Sequence, residues 1–291
     1  MSPIEKVASY LAKQKEWLET KSTDFSIISS NFLLSMRKFG YTDSFKALAE
    51  FIDNSIQALA ENIHIIYKSI PSKQKNGKPI VGSIAICDNG YGMEPDMIRA
   101  ALVWGGTHRY DNRDGIGRYG VGLPGAAGSI SPKYTVYSKL KGKDWWAVSY
   151  DIIKLAKSNN PLVGEPFKKD LPSWIVGADK ISKWEHGTVI CLEEPDNLTQ
   201  GFTHPRSFNT NIKRQLGLLY RNFQESTSIF IQEYNERKKE YNELTKIDPI
   251  DPLFLSPNCL YYRIEENDLV AEALEPLNIP IKDFKGEEHL I

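Results

Sequence analysis

The sequence predicts an α+β fold, and three observations carry that prediction. Runs rich in β-formers, at 63–67, 80–87, 133–140, 145–150 and 188–192, fall in groups and do not alternate with helices, which argues against a βαβ series. Separate segments, 3–19 and 44–60, repeat apolar residues at helical spacing. Finally, 291 residues with 41% hydrophobic and 25% charged content have an ordinary globular composition, enough for one large domain or one domain and part of a second.

In chain order, Ile4, Val7, Ala8, Leu11, Trp17 and Leu18 line one face of an expected packing helix, and residues 1–40 form an amino-terminal helical extension. Thr42, Asp43 and Ser44 offer three N-caps for a second helix running to about Ala60. Ile63 to Tyr67 and Ile80 to Cys87 flank a polar turn with Asn76-Gly77 and read as a hairpin. From Trp104 to Gly122 the chain is dense in glycine and carries Arg109, Arg113 and Arg118; a loop of this length inside a compact domain is expected to be functional. Strands follow at Lys133 to Leu140, Trp145 to Tyr150 and Thr188 to Leu192. Glu194-Pro195-Asp196-Asn197 marks a boundary, so a first domain over 41–195 and a second over 196–291 are expected. The second domain would hold a helix at 206–221, a strand at 228–232 and a charged hairpin tip at 234–241, and is expected to be incomplete within this sequence. Its end is acidic, with eight acidic and two basic residues from Ile264 onward, and reads as a solvated arm.

Thirty-six basic against 37 acidic residues, a formal net charge of −1, exclude a whole-protein electrostatic argument for nucleic acid or an anionic membrane. A local basic cluster at Arg206, Lys213, Arg214 and Arg221 leaves nucleic acid open as a partner, with a solvated helix face as the simpler reading. Cys87, Cys191 and Cys259 lie far apart without a CxxC pair, which fits a reducing compartment. No apolar run approaches the ~20 residues of a membrane helix, so no membrane partner and a cytoplasmic location are expected.

Three short segments carry chemistry. On the helix from Ser44, Phe45, Leu48, Ala49, Ile52, Ile56 and Leu59 form the core face, and Glu50, Asp53, Asn54 and Gln57 a polar stripe opposite. Alone, such a stripe reads as a solvated face. Asp88-Asn89-Gly90-Tyr91-Gly92-Met93 puts a carboxylate at the end of a buried strand, followed by glycines that let backbone approach a ligand; that carboxylate can accept from an exocyclic amine and so select adenine. Alone, it reads as turn punctuation. Gly115 to Gly128 offers backbone N–H groups to phosphates at a helix start, but has neither the Lys-Ser/Thr of a Walker loop nor a preceding strand.

Together and in this order, the segments resemble the conserved boxes of the GHKL ATPases, the Bergerat-fold superfamily of gyrase B, Hsp90 chaperones, histidine kinases and MutL. Glu50 to Asn54 resembles the N box, Asp88 to Gly92 the adenine box, Gly117 to Gly122 the lid glycines, and Gly187-Thr188 the strand that closes the adenine pocket. The details look most like MORC-type ATPases and their bacterial relatives in defence systems. Histidine kinases fit poorly: no phosphoacceptor helix precedes the domain, and His64 reads as a surface residue. Leu123-Pro124-Gly125 departs from both the Hsp90 and the eukaryotic MORC continuation, so neither chaperone nor chromatin roles carry over.

The resemblance implies helices on a mixed or antiparallel sheet, followed by part of a transducer-like domain, with ATP and Mg²⁺ as cofactors. It implies Glu50 as the general base, Asn54 as a Mg²⁺ ligand, Asp88 and Thr188 at the adenine, and Asp53 orienting the stripe. Gly90, Gly92, Gly120 and Gly122, with neighbours Met93, Tyr119 and Val121, would border ribose and phosphates, and Arg118 would touch phosphate. A lysine reaching the γ-phosphate is not assigned; Lys213 and Lys246 are the candidates here. An ATP-dependent homodimer with slow hydrolysis is implied, a partner effector subunit is left open, and a non-hydrolysing ATP-binding regulatory module remains the alternative.

Overall fold

In the computed structural model of the protein, the described residues are 32–72, 77–105, 120–158, 162–178, 181–223, 226–253, 280–282 and 288–290. The helix expected over 3–19, most of the glycine loop including Gly117, Arg118 and Tyr119, Cys259, and most of the acidic end lie outside them.

The architecture is a mixed sheet with helices on one side. Its strands are β1 (Asn62–Pro71), β2 (Pro79–Asp88), β3 (Lys133–Lys139), β4 (Trp146–Asp151), β5 (Phe167–Lys168), β6 (Gly187–Glu193), β7 (Ser228–Asn235), β8 (Glu240–Tyr241) and β9 (Thr245–Lys246). The order is β5-β4-β3-β6-β2-β1-β7-β8, with β9 also pairing β7, and every pairing is antiparallel except β1 with β7. A separate antiparallel pair joins Pro280–Lys282 to Glu288–Leu290.

Side-chain alternation explains why the strands read as nearly continuous apolar runs. Ile63, Ile65, Tyr67, Ile84, Ile86, Val136, Ile190 and Leu192 pack into the helix-side core, while Ile66, Ala85, Cys87, Tyr137, Val189 and Cys191 face a second cluster. That second face is covered by the segment holding a helical turn (Ser173–Val176) and a short 3₁₀ turn (Ile181–Lys183), through Leu171, Trp174, Ile175 and Ile181. Both cysteines there are buried and free, and burial pushes their thiols up, Cys191 to about 12. His64 corrects the surface reading. It is 2% exposed in β1, with its ring edge-on to Trp184 at 5.3 Å and tilted against Phe230 at 4.8 Å.

The helix side is built from α1 (Phe32–Phe39), α2 (Ser44–Gln57), α3 (Pro95–Ala101), α4 (Gly122–Ile130), α5 (Ile152–Ala156) and α7 (Pro205–Leu219), α6 being the turn at Ser173–Val176. Of the three candidate caps, Asp43 starts α2: its backbone is extended and its side chain accepts from Phe45 N–H at 2.9 Å. The helix then buries two adjacent rows, Leu48 and Ile52 with Ala47, Phe51 and Ser55, so it is enclosed more fully than a one-faced amphipathic helix. Leu59, expected on the core face, is 81% exposed, because the chain leaves the helix at Ala58 and Leu59 turns through a positive φ of 57°.

Residues 205–246 continue this sheet. α7 buries Phe208, Ile212 and Leu216 in the same core, and β7 runs parallel to β1 from Asn62↔Ser228 to Ser69↔Asn235. The turn at 194–197 separates sequence segments whose side chains share one interior.

Candidate nucleotide site

Four adjacent elements bring polar groups to one end of the sheet on its helix side. Register places Asp88 of β2 opposite Thr188 of β6, and Thr188 opposite Ser138 of β3, so three oxygen-bearing side chains stand in a row across neighbouring strands. All three are buried, between 0 and 8% exposed. Asp88 Oδ1 accepts from Gly90 N–H at 2.9 Å, and Oδ2 accepts from the Ser55 hydroxyl of α2 at 3.0 Å. Burial raises the Asp88 carboxyl to about 6, against the opposing pull of those bonds. Ser138 accepts from Met93 N–H at 2.9 Å, donates to the Gly187 carbonyl at 3.0 Å and lies 3.0 Å from the Thr188 hydroxyl, pinning the glycine box to the adjoining strands.

Two glycines make this packing possible. Gly92 has a φ of 76°, and a Cβ there would strike the Lys139 carbonyl; Gly187 has a φ of 145°, and a Cβ there would strike the Asp88 carbonyl. Gly90 sits over the end of α2, its carbonyl accepting from His186 Nδ1 at 2.6 Å.

The stripe on α2 is half-buried. Glu50 Oε2 accepts from the Tyr41 hydroxyl at 2.9 Å, while Oε1 lies so close to Gly122 that a Cβ there would collide with it. Asp53 Oδ1 accepts from the Tyr220 hydroxyl at 2.7 Å, and the same hydroxyl reaches the Ala49 carbonyl at 2.9 Å. Burial raises the Asp53 carboxyl, and the Tyr220 bond partly offsets this. Burial also raises the Tyr41 and Tyr220 phenols, with the facing carboxylates adding to the effect. Asn54, one turn beyond Glu50, is half-buried on the same helix.

Gly120 and Val121 lead into α4. Gly105 N–H donates to the Gly120 carbonyl at 3.1 Å, drawing together the two ends of the segment 106–119. α4 itself is glycine- and alanine-rich, which lets it lie against α2 and α1.

The row offers a buried carboxylate able to accept from an amine, a neighbouring hydroxyl, and an apolar side chain at Met93, which packs against the core. Among the described residues no group of three or more His, Cys, Asp or Glu could hold a metal on its own. Asn54, with one neutral oxygen, suits a Mg²⁺ whose remaining ligands are phosphate and water. Two open surface clefts lie elsewhere. One of about 470 Å³ sits between Tyr67, Arg206 and Glu233, and one of about 310 Å³ between Lys139, Trp145 and Lys169; neither includes Glu50 or Asp88. The row lies outside both clefts, and residues 106–119 are not among those described.

Nothing in the sequence marks Ser55, Ser138, Tyr41 or Tyr220 as site residues. Ser138 is one of several hydroxyls in a strand, and Tyr220 lies 167 positions from the carboxylate it meets, so neither carries a local signal.

The chain is similar to known proteins over parts of its length. Protein MICRORCHIDIA 4 of Arabidopsis thaliana is 29% identical over 101 residues, which cover 35% of this chain and 12% of that protein. Protein MICRORCHIDIA 7 of the same plant is 28% identical over 98 residues, 34% of this chain and 13% of that one. The chain thus spans about an eighth of the length of these relatives. Among solved structures, the N terminal domain of a DNA repair protein aligns over 71% of this chain and 53% of its own, at 19% identity and a TM-score of 0.47. The family model of the histidine kinase-, DNA gyrase B-, and HSP90-like ATPases matches residues 41–188, half of the chain, and takes in Glu50, Asp88 and the start of β6. The chain belongs to the histidine kinase-, DNA gyrase B- and HSP90-like ATPase family.

Proposed function

We propose that the protein binds ATP with Mg²⁺ and hydrolyses it slowly, the nucleotide lying between α2 and the row Asp88, Thr188 and Ser138. The observation that carries this reading is the alignment of the buried Asp88 carboxylate with Thr188, bonded through Ser55 to the helix that carries Glu50 and Asn54. Asp88 accepts from the adenine amine, Thr188 supplies a hydroxyl beside it, and Met93 covers the base. Glu50 takes the proton of the attacking water as general base. Asn54 offers its amide oxygen to Mg²⁺, which when bound neutralises phosphate charge. Gly122 lets the phosphates approach the start of α4, whose free N–H groups favour an anion, and Gly90 and Gly120 border the same space. Arg118 and Tyr119 complete the phosphate side from the glycine loop.

The resemblance to MORC-type ATPases supports two further parts of the proposal. Closure of the segment 104–122 over bound ATP drives pairing of two copies at their amino-terminal ends, and the resulting clamp acts in a cytoplasmic defence system together with an effector. A transducer-like part beyond about residue 195, packed into the same core as the nucleotide-binding part, belongs to the same proposal.

Turnover and ATP binding by the wild type, Glu50→Ala and Asp88→Asn test the core of it. Glu50→Ala is expected to bind ATP and lose turnover by about a hundredfold or more, the usual range for removing a general base. Asp88→Asn is expected to lose binding. Equal turnover in all three would refute the assignment, and wild-type binding without turnover would leave a regulatory module that does not hydrolyse ATP.

A further inference from the structure

We propose that Tyr41 is a positioning residue for the reaction: its hydroxyl holds one oxygen of Glu50, so that the other is presented toward Gly122, where the phosphates enter. The inference rests on the reading of Glu50 as general base. A carboxylate at the end of a two-carbon side chain has three torsions to fix, and a general base works only within hydrogen-bond reach of its water. On α2 itself the neighbours at i+3 and i+4, Asp53 and Asn54, offer no cation, and the one at i−4, Lys46, is exposed at the surface. The restraint comes from outside the helix. Tyr41 precedes the Asp43 cap and donates to Glu50 Oε2 at 2.9 Å, while Oε1 faces the first residue of α4. The two oxygens are thereby given different surroundings, one held by a phenol and one turned toward the glycine-lined entry.

Tyr41 is itself well placed to act as a fixed reference. It is half-buried, and its ring packs against the helix-side core. A Cβ at Gly125 would meet the Tyr41 ring at 3.9 Å and the Trp104 ring at 3.6 Å, so both aromatics lie against α4 at a residue without a side chain. Gly40, next to Tyr41, closes the end of α1 by donating to the Met36 carbonyl at 2.8 Å and lies against Gly125 and Ser129 of α4. Tyr41 therefore joins α1, α2 and α4 at the one point where the Glu50 carboxylate needs a direction. A lysine or arginine in its place would hold Glu50 as an ion pair and weaken it as a base; a neutral phenol orients the carboxylate at a smaller cost in basicity.

Tyr41→Phe keeps the ring and removes only the hydroxyl. With the full chain, kcat is expected to fall about tenfold, as for loss of a hydrogen bond to a charged group. KM for ATP, affinity for a non-hydrolysable ATP analogue and the thermal midpoint should stay close to wild type. A kcat within twofold of wild type would overturn the proposal, as would a loss confined to KM or to thermal stability, which would make Tyr41 a packing residue only. Absence of wild-type turnover would overturn the general-base reading and this proposal together. Wild-type turnover abolished by Glu50→Ala and untouched by Tyr41→Phe would overturn this proposal alone.

Discussion

Asp88 is the residue whose environment and expected task are most tightly coupled. A carboxylate 5% exposed, met by one backbone N–H and one hydroxyl, is solvated less well than in water, and its pKa rises from 3.8 to about 6. The raised value means that the folded protein holds this proton over roughly pH 4 to 6, where an unfolded chain has lost it. The stabilising contribution is therefore complete below about pH 4 and is lost as pH rises through about 6. Two units correspond to about 3 kcal/mol as an upper bound. In the absence of nucleotide, Asp88→Asn should gain stability relative to wild type between pH 4.5 and pH 7.5, as measured by urea unfolding at the two values; a difference that is the same at both would show that Asp88 is not titrating in this window. An acidic group buried at that cost is readily understood if a ligand donor offsets it, as an adenine amine would.

At the scale of elements, α2 carries the largest share of the site, and its start is set by a side chain. The Asp43 carboxylate accepts from Phe45 N–H, satisfying one of the donors a helix leaves unpaired, and fixes where the turns carrying Glu50, Asp53 and Asn54 begin. Asp43→Ala is expected to lower stability by about 1 kcal/mol, read from the urea midpoint at constant slope; a change below a few tenths would mean that the other candidate caps, Thr42 or Ser44, take over. The chemistry of this helix was legible in the sequence because its polar residues recur at i+3 and i+4. Its surroundings were not: periodicity distinguished a core face from a polar stripe, whereas α2 buries Phe51 and Ser55 as well, since α4 and α7 close over it from other parts of the chain. The strands show the same limit. The existence of the longer ones follows from β-forming composition, but β1 and β7 run on to Pro71 and Asn235, past the expected runs, and the burial of His64 against Trp184 and Phe230 comes from a second covered face that composition does not show.

At the scale of the molecule, the family match ends at residue 188, yet the interior does not. α7 and β7 bury Phe208, Ile212, Leu216, Ile229 and Ile231 almost completely, and Tyr220 reaches back to Ala49 and Asp53 on the site helix. At about 1.5–3 kcal/mol per large apolar side chain, these five residues amount to roughly 10 kcal/mol, comparable with the whole stability of a typical domain. A chain ended at residue 196 would also leave β1 as an exposed edge with its parallel partner removed. Such a fragment is expected to aggregate or to bind hydrophobic dye without a cooperative thermal transition. A transition at the temperature of the full chain would instead show that residues 1–196 fold independently. Tyr220 also gives any movement of α7 a direct contact with the α2 stripe, a contact between residues 167 positions apart.

The sequence by itself determined the α+β class, most of the strands, the start of α2 and the order of three glycine- and carboxylate-bearing boxes, because these depend on local period, capping and turn chemistry. Only the tertiary structure decided that Ser138 and Ser55 share the row with Asp88, that Tyr41 meets Glu50 and Tyr220 meets Asp53, and that β7 enters the sheet beside β1. Those contacts join residues far apart in the chain, and hydrogen bonds and strand registers of that kind are selected by which surfaces can be buried together, a property no local stretch of residues contains.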